Sequence, residues 1–201
     1  MVGPRGSPVN VSPAADAGPL AGLRVLDLSR HLAGPFAAMT LGDMGADVIK
    51  VERPGEGDDA RGWPPTASGE SCYFMSINRN KRSLVIDLSD PESVPRMRRL
   101  VETSDVLIEN FRPGGLARLG YPDATLATWN TRLVHCAISA FGLEGPARDR
   151  PGMDLLLQAS GGLMSITGEE GRPPVRVGIS LVDLIAGSTA VNGILAAPLD
   201  R

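Results

Sequence analysis

Lysine is almost missing from this chain: of 20 cationic residues only two, Lys50 and Lys81, are lysine. Any anion it meets must therefore be held mainly by the planar, bidentate fork of arginine. The formal charge of -3 leaves no basic field of the kind nucleic acid requires, which excludes that class of partner. Histidine is limited to His31 and His135, and cysteine to Cys72 and Cys136. Two distant cysteines make neither a disulfide framework nor a zinc site alone, so reduced thiols and a cytoplasmic location are expected. No apolar run reaches the roughly 18 residues of a membrane span. Walker A, H-E-x-x-H, paired C-x-x-C and G-x-S-x-G signatures are all absent, which removes most of the weight from hydrolase and metalloenzyme readings. The turn DLSRHLAGP also lacks the glycine fingerprint that lets a backbone approach a dinucleotide pyrophosphate, so NAD binding is disfavoured.

What is present is an alternation of β-branched runs with small-residue helical stretches over 201 residues, which predicts an α/β fold. Residues 1–18, rich in Pro, Gly, Ser and Ala, read as a disordered leader, and residues 19–201 as one Rossmann-like domain. Strands are predicted at Leu23–Leu28, Ala46–Glu52, Ser83–Leu88, Asp105–Glu109 and Arg132–Ser139, building a parallel sheet with helices on both faces. Helices are expected from Gly34-Pro35 to Gly45, around Val94, Met97 and Val101, from Met153 onward, and over Leu181–Ala197. Residues 53–70 hold three prolines and four glycines and few apolar anchors, and are expected to be a long surface loop. His135, in an apolar strand, reads as a satisfied core residue; Lys81 and Arg82 read as solvated surface. His31 follows a strand end, where open parallel sheets collect ligands. Spacing alone leaves Asp183 open between a catalytic carboxylate and an acid that charges the first turn of the last helix. The same choice is open for Asp154.

Five segments in order, VLDLSRHLAGPFAAMTLGDMGADVIKVERPGEGD, NRNKRSLVIDL, DVLIENFRPGGLARLG, PGMDLLLQASGGLM and VGISLVDLIAG, resemble the class III coenzyme A transferase family. That family includes formyl-CoA and carnitine-type CoA transferases and the α-methylacyl-CoA racemases. The resemblance covers about residues 19–198 and the N-terminal half of the family's length. It implies an acyl-CoA:carboxylate CoA-transferase, with coenzyme A as substrate, no tightly bound cofactor, no metal, and an interlocked homodimer in the full-length form. Asp183 matches the family's nucleophile, which forms a mixed anhydride and then an aspartyl-CoA thioester. Asp154 matches an acidic position near the thioester. CoA contacts are implied for His31, Leu32 and Ala33 after the first strand, for Arg53 after the second, and for Ile86, Asp87, Leu88 and Ser89 after the third. Asn110, Phe111 and Arg112 after the fourth, with Arg118 and Met153, complete the set. Met153 stands where racemases carry a histidine, and a thioether moves no proton, so a racemase is the weaker alternative. A non-catalytic CoA-binding remnant is the other. Leu32 replaces a glutamine of formyl-CoA transferases and Pro151 a lysine, which speaks against oxalate and formate and against that lysine's CoA contact.

Overall fold

The computed structural model describes residues 18–197, so of the expected leader only Gly18 falls within it. In chain order the elements are β1 (Arg24–Asp27), α1 (Ala33–Asp43), β2 (Asp47–Glu52), β3 (Thr66–Ala67), β4 (Glu70–Ser71), α2 (Cys72–Asn78) and β5 (Lys81–Val85). There follow α3 (Val94–Glu102), β6 (Val106–Glu109), α4 (Gly115–Arg118), α5 (Asp123–Trp129), β7 (Val134–Ala137), α6 (Asp154–Ser160) and α7 (Leu181–Ala196). Five strands form one parallel sheet in the order β5-β2-β1-β6-β7, while β3 and β4 make a separate small hairpin. Leu26 at the sheet centre sits between Ile49 of β2 and Leu107 of β6.

A parallel sheet needs cover on both faces because its strands are apolar on both. Alternation along β1, β2 and β6 divides the side chains accordingly. Leu26, Ile49 and Leu107 point to one face and pack with Met97 and Val101 of α3, Tyr121, and Leu126 of α5. Val25, Val48 and Val106 point to the other and pack with Ala37, Ala38 and Leu41 of α1 and with Val191 and Ile194 of α7. This is the doubly covered Rossmann-like sheet that the sequence predicts. Gly187 of α7 lets the helix approach α1 closely: a Cβ added there would lie 2.6 Å from the carbonyl oxygen of Ala33. Among the described residues no helix is long and apolar enough to cross a membrane.

Several expectations need correction. The third predicted strand, Ser83–Leu88, runs instead from Lys81 to Val85, so Ile86, Asp87 and Leu88 leave the sheet at its carboxyl end. Helices α2 and α5 lack a sequence signal strong enough to be predicted. Lys81 is not on the surface; its side chain is 2% exposed and paired with Asp27. Arg82 does remain largely exposed, on Asp47. His135 is half-buried on the edge strand β7, bonded to Asp123 through Nδ1 at 3.2 Å but with no partner for Nε2. The stretch 53–70 is not a free loop either. Asp58 and Ala60 are buried, a 3-10 turn spans Asp59–Gly62, and the hairpin closes its far end. Counting apolar anchors misses this because the anchors are ionic: Glu52 accepts two bonds from Arg61, at 2.6 and 2.7 Å, and one from the backbone N–H of Asp58 at 3.0 Å.

Candidate active site

The three central strands share a device at their carboxyl ends: each closes on a buried carboxylate, Asp27, Glu52 and Glu109. Each carboxylate accepts a backbone N–H from the loop that follows. Asp27 takes Ser29 at 3.0 Å, Glu52 takes Asp58 at 3.0 Å, and Glu109 takes Phe111 at 2.6 Å. A loop held this way presents a fixed wall to ligand rather than a mobile one, at the edge where parallel sheets bind ligands.

Their electrostatics differ. Burial opposes ionisation of Asp27, but the Lys81 and Lys50 charges and bonds from Ser29 and Lys81 outweigh it and hold the carboxyl below its ordinary value. Burial likewise works against Glu52, yet Arg61, Ser83 and the Asp58 N–H bring it down to about 2. Glu109 has no such cation. Burial pushes it up to about 7, aided by the charge of Asp123 and opposed by the Phe111 N–H. His135 Nε2 stands 3.8 Å away, but burial lowers that imidazole's affinity for a proton against the pull of Asp123.

A pH effect follows. The Glu109 carboxyl binds its proton more tightly folded than unfolded, so its contribution to stability falls as pH rises from about 4.5 to about 7 and is flat above. Glu109→Gln is expected to raise the unfolding free energy by on the order of 2 kcal/mol near pH 8 and to leave it unchanged near pH 4. Urea denaturation at the two pH values checks this; an equal effect at both would mean that Glu109 is not the titrating group.

Two cavities flank Phe111. The first, about 170 Å³, is walled by Leu28, Val51, Ile86, Leu88 and Leu119, with Arg30, Arg53, Asp87 and Ser89 at its polar side. The second, about 190 Å³, holds Asp183 together with Ala33, Asn110, Met153 and three arginines, Arg112, Arg148 and Arg150. The structure thus gathers Arg53, Ile86, Asp87, Leu88, Ser89 and Phe111 around one cavity, and Ala33, Asn110, Phe111, Arg112, Met153 and Asp183 around the next. Arg118 is not brought in: it is exposed and donates to the Pro113 carbonyl at 3.3 Å, while its neighbour Leu119 lines the first cavity. Leu32 is buried and lines neither.

His31 adopts a left-handed backbone, φ 70°, with its N–H on Asp58 and Nε2 on Asp59 at 3.0 Å. Its ring meets Trp63, which meets Tyr73 in turn, giving an aromatic ledge at centroid spacings of 5.4 and 5.1 Å. Tyr73 is pushed up to about 12 by burial and by the charges of Asp183, Asp58 and Asp154, which places its ring in the field of those carboxylates. Trp63 and Tyr73 carry no signal in the sequence, because the 53–70 segment and α2 that bring their rings together are set by tertiary packing.

Asp183 sits in the first turn of α7, half-buried, its carboxyl raised by burial and by the charge of Asp154, with His31 pulling it down. Asp154 is not in the cavity. It lies behind Asp183 and caps α7 from the neighbouring helix, its Oδ1 accepting from Val182 N at 2.8 Å and from Asp183 N at 3.4 Å. Ser180, the local cap position, makes no side-chain cap bond. Among the described residues no cluster of His, Cys, Asp and Glu is arranged to hold a metal ion.

The profile of CoA-transferase family III matches residues 20–201. The chain is 46% identical over 184 residues to the succinyl-CoA:glutarate CoA-transferase of Mus musculus, covering 91% of this chain and 42% of that protein. It is 47% identical over 186 residues to the succinate--glutarate CoA-transferase of Agrobacterium fabrum, covering 89% and 46% respectively. It therefore spans less than half the length of these curated relatives. A crystal structure of a CAIB/BAIF family protein from Brucella suis superposes with a TM-score of 0.88 at 43% identity, over 92% of this chain and 50% of that one.

Proposed function

This chain belongs to CoA-transferase family III, and from that premise we propose that the protein moves coenzyme A from an acyl-CoA donor to a carboxylate acceptor, with Asp183 as the nucleophile. The observation that carries this reading is the placement of one half-buried carboxylate, Asp183, in a cavity adjoining an apolar, arginine-rimmed one across a single side chain, Phe111. Adenine suits the apolar walls of the first cavity, and Arg30 and Arg53 stand where phosphates need cations. The pantetheine arm passes Phe111 and delivers the thioester to Asp183.

The Asp183 carboxylate attacks the thioester carbonyl, forming an acyl-aspartyl anhydride and expelling CoA thiolate. The thiolate then attacks the aspartyl carbonyl, giving an aspartyl-CoA thioester and the free donor acid. The acceptor carboxylate displaces CoA from Asp183 to form the second anhydride, and the thiolate takes the acceptor acyl group, restoring the carboxylate. Burial destabilises a carboxylate relative to water, and a less solvated anion gains more by bonding to carbon.

Both substrates are proposed to be short dicarboxylic acids. The relatives named above act on succinyl-CoA or succinate and glutarate, and Arg112, Arg148 and Arg150 around the Asp183 cavity suit the carboxylate that does not react. Met153, exposed in the same cavity, offers no base for α-proton transfer and weighs against racemisation. A homodimer belongs to the same proposal, and the exposed Leu155, Leu156, Ile166, Ile179 and Ile185 supply an apolar surface for it.

Covalent trapping tests the reading. With succinyl-CoA and hydroxylamine, peptide mass spectrometry is expected to find a hydroxamate at Asp183. An unmodified Asp183 in protein that turns over would overturn it.

A further inference from the structure

Gln158, on α6, is fully buried, and both ends of its amide are engaged. Its Nε2 donates to Asp154 Oδ2 at 2.6 Å and to the Ile179 carbonyl at 3.2 Å, and its Oε1 accepts from Val177 N at 2.9 Å. Asp154, one helical turn earlier, is 7% exposed, and its other oxygen caps Val182 and Asp183. One amide and one carboxylate thus span the segment from Val177 to Asp183 at four backbone groups. That segment otherwise has little to hold it: residues 172–179 form neither helix nor strand, and Val175 and Ile179 are exposed.

We infer that Gln158 is a positioning residue for the reaction, clamping the approach to α7 so that Asp183 is presented to its cavity in a fixed, partly desolvated pose. The inference rests on the reading of Asp183 as nucleophile. Gln158 lines neither of the two cavities; it acts through Asp154 and through the backbone. A glutamine fits the place where an ionised carboxylate would not, because the amide donates to Asp154 while accepting from Val177. A buried polar residue satisfied at both ends specifies one arrangement, because every alternative leaves a donor or acceptor unmade.

The test needs no turnover. Gln158→Leu in the 201-residue chain is compared with wild type by amide hydrogen exchange and by carboxyl NMR titration of Asp183. Leu126→Ala, in the core on the opposite face of the sheet, serves as a control for general destabilisation. In Gln158→Leu the Val182 amide is expected to exchange about tenfold faster relative to Val191, further along the same helix, as fits the loss of one buried hydrogen bond. Asp183 should titrate closer to the ordinary carboxylate range as water reaches it. His31, Tyr73 and Asp154, which face that carboxylate, are unchanged in sequence, so the movement reports on α7. Leu126→Ala should alter neither ratio nor titration.

Equal acceleration at Val182 and Val191, or an Asp183 titration like that of wild type, would overturn the clamp. Should the leucine variant fail to fold, Gln158→Glu keeps the acceptor for Val177 and sets a carboxylate against Asp154. Its Val182 amide should exchange faster relative to Val191 at neutral pH and return toward the wild-type ratio on acidification, and a ratio that does not change with pH would count against the clamp. Failed trapping at Asp183 with an intact clamp would instead count against the nucleophile.

Discussion

Lys50→Met is expected to lower the unfolding free energy by about 3–5 kcal/mol, the cost of stripping one partner from a buried ion pair. Lys50 Nζ, 2% exposed, lies 2.9 Å from Asp58 Oδ2 and 3.8 Å from Asp27 Oδ2, and donates to the Ser29 carbonyl at 2.8 Å. Asp58 is 1% exposed, and its Oδ2 has no hydrogen-bond partner, so Lys50 is the charge that compensates it. Asp27 would keep Lys81 at 2.9 Å, together with Ser29. Asp58 would be left as an unpaired anion inside the protein. Against the typical 5–15 kcal/mol of a folded domain, that loss is a large fraction of the total. Removing both charges is gentler, so Lys50→Met with Asp58→Asn should recover part of it. Denaturant titration of the single and double variants checks the coupling. A single variant within about 0.5 kcal/mol of wild type would mean that the pair does not hold the 53–70 segment in place.

Asp183→Asn is expected to reduce CoA transfer by about four orders of magnitude or more, in any form of the protein that turns over. An amide does not attack a thioester, and no neighbouring carboxylate can replace it: Asp154 has its oxygens on Val182, Asp183 and Gln158. Binding should survive, since the first cavity is separate and the asparagine keeps the size and backbone bonds of the aspartate. Removing a charge that Asp154 repels costs no stability. Chromatographic assay of transfer from succinyl-CoA to glutarate, beside calorimetric binding of CoA, reads both halves. Transfer retained near the wild-type rate would assign the nucleophile elsewhere, and loss of CoA binding would give Asp183 a structural part instead.

The sheet was legible in the chain because strand burial is written locally. Val25 and Leu26, Val48 and Ile49, and Val106 and Leu107 are apolar in succession, as strands covered on both faces must be, and they divide between the two cores as their alternation requires. Asp183 could be singled out as a candidate from its motif, and the carboxyl edge of the sheet as a candidate site from the rule that parallel sheets bind ligands there. The hairpin, α2 and α5 were not legible: each is short, and the tertiary packing around it, rather than its own periodicity, stabilises it.

The pairing of the two lysines belongs to the tertiary structure. Lys81 finds Asp27 across 54 positions of sequence, and Lys50 finds Ser29 across 21. The order β5-β2-β1-β6-β7 sets those meetings, and nothing near either lysine announces them. The scarcity of lysine therefore means something different from what composition suggests: both lysines are spent on buried ion pairs, Lys50 within the wall of the first cavity, and the other cations around the two cavities are arginines. In the same way the sequence supplied Asp154 as an acid near Asp183, and only the packing of α6 against α7 made it a cap, because an N–H has no partner until another chain segment is brought within about 3 Å of it.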